Sequence, residues 1–189
     1  MSVNLYFTSA GARNGAVILS VNTVMMQLYL LFSYFMDGFA YAGEALGGKA
    51  YGARNAVAFR ETLGRLWHWA TAVTILYTLA YVLGGMKILN LLTNEQQVVN
   101  AAHDYIFWAW LIPVAGAVAF IWDGIFIGIT ATRGMLLSSF ISALTFFTVC
   151  GITTGVMGNH GLWLAQIIYL AMRGGIQTLW YRIKLKNRM

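Results

Sequence analysis

The chain has 189 residues, of which 59% are hydrophobic and 10% are charged, and its formal net charge is +6. Soluble domains average about 25% charged residues, so this composition excludes a globular protein with a water-exposed surface. A lone cysteine cannot form an internal disulfide, and the 3 histidines lie far apart in sequence. We therefore predict no metal site and no cofactor.

The N-terminal segment contains an apolar stretch, LYFT, followed by SAGARNG. It has neither the basic region nor the long apolar region of a signal peptide, so no cleavage is predicted. We interpret the segment as the short remnant of a helix whose beginning is missing. Restoring that helix would give a sixth span.

Five later segments are long and apolar enough to cross a bilayer, which requires about 20 residues. Lipid offers no partners to backbone N–H and C=O groups, so each span is expected to be helical. The uncharged stretch from Gly134 to Met172 is too long for one helix, and the glycine-rich segment from Gly151 to Gly161 supplies a turn. The sequence therefore predicts an all-α membrane protein, a bundle of five transmembrane helices that forms one lobe over residues 1–189. The predicted spans are about 14–45, 66–86, 104–131, 134–154 and 161–181.

A local signal marks the start of the third span. Thr93-Asn94-Glu95-Gln96 matches a capping box, in which the threonine caps the helix and the glutamine reaches back to it. We therefore expect the third helix to begin at Thr93.

Lysine and arginine residues near the span ends predict the orientation of the bundle. Nine lie on one side and two, Arg13 and Lys87, on the other, and an excess of this kind marks the cytoplasmic side. The C-terminus is then cytoplasmic and the first span enters from outside. Because the basic residues lie close to the membrane ends, the positive net charge indicates topology rather than nucleic-acid binding. The nine are Lys49, Arg54, Arg60, Arg65, Arg133, Arg182, Lys184, Lys186 and Arg188.

Asp123 lies within an otherwise uncharged span, in the sequence IWDGIFIG. A carboxylate at mid-bilayer costs at least about 2.5 kcal/mol, so it needs a partner, water or protonation. Each of these suits an ion or proton site, and the alternative is a structural hydrogen bond between helices. Pro113 lies ten residues earlier on the same helix and is expected to bend it. A bent helix suits either a moving transport element or a curved helix that only packs against its neighbours.

Asp37 and Glu44 form a second group of acids. Their separation of seven residues is close to two helical turns, which places both on one face with Tyr41 between them. They are secondary site candidates, and the alternative is that they pair with Lys49 or Arg54 at the cytoplasmic helix end.

Arg173 is the only cation within a predicted span. We favour the interpretation that its side chain extends toward the cytoplasmic surface, as long basic side chains near helix ends do. The alternative is an ion pair with a buried acid.

The order of these segments resembles the C-terminal half of the multidrug and toxic compound extrusion transporters, most closely their bacterial branch. The resemblance covers essentially the whole chain, and its most specific parts are DGFAYAGEALGGKAYGA, from Asp37 to Ala53, and DGIFIGITATR, from Asp123 to Arg133. It implies helices eight to twelve of a twelve-helix protein with two six-helix lobes, preceded by the tail of helix seven.

The resemblance also implies a function. Members of this family export cationic or amphipathic compounds in exchange for H⁺ or Na⁺, and Asp123 matches an acid that several members use in cation coupling. The expected location is the bacterial inner membrane, and the expected partners are the lipid bilayer, a small-molecule efflux substrate and the missing N-terminal lobe.

An intramembrane aspartyl protease would need a Tyr-Asp pair and a Gly-x-Gly-Asp segment, and neither occurs, so an enzyme is not expected. A truncated, non-functional fragment or an assembly partner stays open, because a substrate cleft at a repeat interface requires both lobes.

Overall fold

The computed structural model of the protein describes residues 2–185, and within them the chain is helical with no strand. Lys186 and Arg188, two of the predicted cytoplasmic cations, lie outside the described residues. The helices are Ser2–Ala12 (α1), Ala16–Ala42 (α2), Gly48–Gly52 (α3), Ala56–Leu92 (α4), Gln96–Ala102 (α5), Ile106–Gly128 (α6), Thr132–Met157 (α7) and Asn159–Trp180 (α8), with π-helical turns at Gly43–Gly47 and Tyr181–Leu185.

The structure confirms the predicted fold class, an all-helical membrane-type bundle. Four of the described helical stretches are long and apolar enough to cross a membrane, namely Ala16–Gly52, Ala56–Leu92, Ile106–Gly128 and Thr132–Met157. The predicted fifth span corresponds to α8, whose 22 residues extend about 33 Å. Its buried polar residues lower its hydropathy below that of the other four, although it packs against both α6 and α7.

The first two spanning helices are longer than the predicted spans. Ala16–Gly52 and Ala56–Leu92 each contain 37 residues, or about 55 Å of helix, well beyond a hydrocarbon core of about 30 Å. Lysine, arginine and glutamate are good helix formers, so charges that end a span do not end a helix. The chain turns only at 53–55, where Arg54 has a φ of 52° and the Asn55 side chain caps α4 by accepting a hydrogen bond from the Ala58 amide.

The predicted capping box at Thr93 is wrong. The Thr93 hydroxyl accepts a hydrogen bond from the Glu95 amide at 3.3 Å, and the Gln96 side chain donates to Asn100 instead of reaching back. The helix that follows is the short α5, and α6 begins only at Ile106. The local hydrogen bonds therefore form a turn and a short helix before the span.

Glycines bring α6 into backbone contact with α2 and with the π-helical turn and α3 that continue it. A Cβ on Gly124 would clash with the Ala40 backbone, one on Gly128 with the Glu44 backbone, and one on Gly48 would lie 2.7 Å from the Gly128 carbonyl oxygen. Small residues allow this approach between membrane helices, where close packing replaces the hydrophobic effect as the main source of association.

Ordinary overpacking of a core costs roughly 1–3 kcal/mol. We expect Gly124→Ala to destabilise the bundle by more than this, because the new methyl group meets backbone atoms, which cannot rotate away as a side chain can. Gly151→Ala is the matched control, since a Cβ there meets nothing within 4 Å. Thermal unfolding of the purified variants in detergent measures the difference. Equal melting temperatures would contradict the proposed backbone contact.

Candidate functional site

A cavity of about 260 Å³ lies between α2, α6, α7 and α8. Its lining includes the five ionisable side chains that the sequence singles out, and the remaining lining residues are apolar. The five are Asp37, Tyr41, Glu44, Asp123 and Arg173. The cavity thus combines three carboxyl groups with one guanidinium group.

Asp123 is held by two residues of α8. Its Oδ2 atom lies 2.6 Å from the Arg173 Nη2 atom, and its Oδ1 atom accepts a hydrogen bond of 2.6 Å from the Gln177 side-chain amide. Arg173 and Gln177 are four residues apart, so they lie on the same face of the helix. The carboxylate therefore has a charged and a neutral donor, one for each oxygen.

The favoured interpretation of Arg173, extension toward the cytoplasmic surface, is wrong. Its side chain is 25% exposed and pairs with the Asp123 side chain, which is 18% exposed. Each unpaired charge within a span carries a free-energy penalty, and an ion pair removes it for both groups. This gain outweighs the hydration free energy that Arg173 would gain by extending outward. The structure thus shows the alternative, pairing with a buried acid.

Close helix packing holds the ion pair in place. A Cβ on Gly174 would lie 2.8 Å from the Val118 side chain, so α8 and α6 approach closely one residue away from Arg173. Beside it, the Trp122 indole donates to the Thr178 hydroxyl at 2.8 Å. Trp122 and Asp123, which are consecutive in α6, therefore contact three side chains of α8. These are Arg173, Gln177 and Thr178.

Asp37 and Glu44 lie on the same side of their helix, as predicted, because both line the cavity with Tyr41. Their predicted alternative, pairing with Lys49 or Arg54, is wrong: within residues 2–185 neither acid forms an ion pair. Glu44 belongs to the π-helical turn Gly43–Gly47. Such turns inside α-helices are frequent at functional sites.

Pro113 lies inside α6, which continues through it. The residue is buried, and its missing amide hydrogen removes one hydrogen bond from the helix.

Sequence reasoning missed Gln177 and a second polar cluster. Asn22 and Asn159 exchange two hydrogen bonds of 2.7 and 2.9 Å, and the Trp163 indole donates to Asn22 at 2.8 Å. This cluster joins α2 to α8 at the end of the bundle opposite to the basic residues. Neutral amides within apolar spans were the available signal, since such groups also need partners in lipid.

The fold and the site together define a class, a polytopic helical membrane protein with a charged, open cavity between its helices. A family model described as MatE matches residues 1–152 of the chain. The chain belongs to this family of multidrug and toxic compound extrusion transporters. The family resemblance is thereby confirmed, and so is the expectation that the chain is not an enzyme.

Curated relatives agree with this assignment. The chain is 38% identical over 176 residues to DNA damage-inducible protein F of Escherichia coli (strain K12). The aligned region covers 93% of this chain and 38% of that protein. It is 25% identical over 175 residues to Protein DETOXIFICATION 42 of Arabidopsis thaliana, covering 89% of this chain and 33% of that protein. A chloroplastic relative from the same plant, Protein DETOXIFICATION 44, is 26% identical over 171 residues and is covered over 32% of its length. The chain thus spans between about a third and two fifths of the length of these relatives.

Proposed function

We propose that this chain forms the C-terminal lobe of a two-lobe transporter that exports amphipathic, often cationic compounds in exchange for H⁺ or Na⁺. The cavity around Asp123 is the observation that carries the proposal. It contains three acids against one base, so its formal charge is negative when all four are ionised. A cleft that is lined by one sign of charge and has low-dielectric walls attracts ions of the opposite sign.

The exposed face of α2 supports a cleft beside this cavity. Thr23, Gln27, Tyr34 and Tyr41 are all exposed and are spaced at four or seven residues, so they lie on one side of the helix, next to the exposed Leu31 and Phe35. The exposed face of α4, in contrast, presents Ile75, Leu76, Leu79 and Leu83. The aliphatic face of α4 suits lipid, whereas the mixed polar and aromatic face of α2 suits a second lobe. Tyr41 belongs to both this face and the cavity lining.

We further propose that the protein lies in the bacterial inner membrane with its C-terminus in the cytoplasm. A cavity near Arg133 and Lys184 also contains residues of α3 and of the turn between α6 and α7, so these helix ends meet at one end of the bundle. That end also carries Lys49 and Arg54. The positive-inside rule assigns it to the cytoplasm.

On this proposal, the single lobe is incomplete by itself. Transporters built from repeats bind substrate between the repeats, and this chain supplies one wall. The second candidate is a non-functional fragment or an assembly partner; the chain covers 38% of its relative DNA damage-inducible protein F.

An efflux assay distinguishes the two. We expect the chain alone to leave ethidium accumulation unchanged in an efflux-deficient strain. A chimera in which the chain replaces the 176 matching residues of the Escherichia coli relative should lower ethidium accumulation several-fold. A clear decrease with the chain alone would contradict the two-lobe argument. A chimera that reaches the membrane at the relative's normal abundance and still exports nothing would favour the fragment.

A further inference from the structure

Each oxygen of the Asp123 carboxylate contacts one donor from α8 and keeps a further lone pair. The Arg173 Nη2 atom lies 2.6 Å from Oδ2, and the Gln177 side-chain amide donates to Oδ1 at 2.6 Å. Both partners present N–H groups, which cannot ligate a cation. A proton or a metal ion that binds Asp123 must therefore compete with a positive charge that belongs to the protein.

We propose that Arg173 is a built-in competitor for cation binding at Asp123, and that its guanidinium group must leave the carboxylate before an external cation binds there. This inference rests on the proposed function and adds a specificity-determining residue to it. Arg173 excludes metal cations from Asp123 as long as the pair is intact.

The geometry of the ion pair allows this exchange. A guanidinium group carries five N–H donors and often binds a carboxylate through two of them. Here the Nη2 atom makes the contact of 2.6 Å, and the buried Nε atom has no hydrogen-bond partner within the described part of the chain. The guanidinium group therefore does not bind the carboxylate through its Nε edge.

The same cavity offers Arg173 other partners. Asp37 and Glu44 line it together with Arg173, and neither forms an ion pair within residues 2–185. A guanidinium group that leaves Asp123 can therefore remain paired by moving toward α2. Because the transfer stays inside one cavity, the cation does not have to cross lipid.

Sodium binding to the whole chain, purified in lipid nanodiscs, tests the proposal. We expect wild-type protein to bind radioactive Na⁺ weakly and Arg173→Gln to bind it about tenfold or more tightly, because a full positive charge has left the carboxylate. Asp123→Asn added to Arg173→Gln should abolish the gain, and Arg173→Lys should bind as weakly as the wild type. Arg65→Gln is the matched control, since Arg65 forms an exposed pair with Glu61 at 3.9 Å.

Three outcomes would overturn the proposal: an unchanged Na⁺ affinity in folded Arg173→Gln protein, a gain that survives Asp123→Asn, and an equal gain in Arg65→Gln. Circular dichroism checks folding, and Arg173→Met, an apolar residue of similar length, serves as the second variant if glutamine prevents folding. Binding is measured without transport. A gain of binding together with failed efflux in the chimera would count against the proposed function alone, and normal efflux without a gain would count against the role of Arg173 alone.

Discussion

Asp123→Asn is expected to abolish ion-coupled export, or to reduce it severely, in a two-lobe protein that contains this chain. Asparagine keeps the size of the side chain and can accept the hydrogen bond from Gln177 or Arg173, but it cannot release a proton or balance a cation. If Asp123 served only as a hydrogen-bond partner, asparagine should preserve much of the activity, because such bonds between membrane helices contribute about 0.6 kcal/mol on average.

Export by the chimera, normalised to its abundance in the membrane, measures this effect. Asp37→Asn should cause a smaller loss, since Asp37 makes no ion pair in the described structure. Glu61→Gln, which neutralises an exposed carboxylate of α4, should cause none. Equal losses for Asp123→Asn and Asp37→Asn, or a larger loss for Asp37→Asn, would refute the assignment of Asp123 as the coupling acid.

The second large effect concerns stability. We expect Asp123→Ala and Arg173→Ala each to destabilise the chain by about 3 kcal/mol, because each leaves an uncompensated charge inside the bundle. The double variant should be much less destabilised than the sum of the two, since both charges are then absent. A double-mutant cycle of thermal unfolding in detergent gives the coupling free energy directly.

The exposed pair Glu61 and Arg65 provides the control cycle. Its two side chains are 63% and 81% exposed and 3.9 Å apart, so its coupling free energy should stay below about 0.5 kcal/mol. Similar coupling in both cycles would show that the Asp123–Arg173 pair is not stabilised by its position in the bundle.

The positions of the spans follow from the sequence, because charges are excluded from the hydrocarbon core and their absence is visible residue by residue. The lengths of α2 and α4 do not follow, since hydropathy carries no information about a helix after it leaves the bilayer. The break between α5 and α6 was missed for a similar reason. A capping motif describes four residues, whereas the hydrogen bonds of Thr93 and Gln96 depend on the turn that the chain adopts.

The charged members of the candidate site were predictable, but their pairing was not. Asp123 and Arg173 stand out because a charge in an apolar span needs compensation. Whether two such charges meet depends on how α6 and α8 align, and close contacts such as that of Gly174 with Val118 set this alignment. Gln177, 54 residues from Asp123, carries no charge, so its amide gives a weaker signal in the sequence than a charged group does.

The glycine contacts between α2 and α6 restrict which parts of the molecule can move. Gly124 touches the backbone of α2 and Gly128 touches that of the π-helical turn that follows it, so this portion of α6 has no room to move toward them. Pro113 lies 11 residues before Gly124, about 16 Å along the helix, and divides the fixed portion from the one that begins at Ile106. That earlier portion is joined to α8 by a hydrogen bond of 3.1 Å from the Trp108 indole to His160. A hinge at Pro113 would therefore move the first part of α6 together with the start of α8, while the contacts of Gly174 keep the later part of α8 on α6.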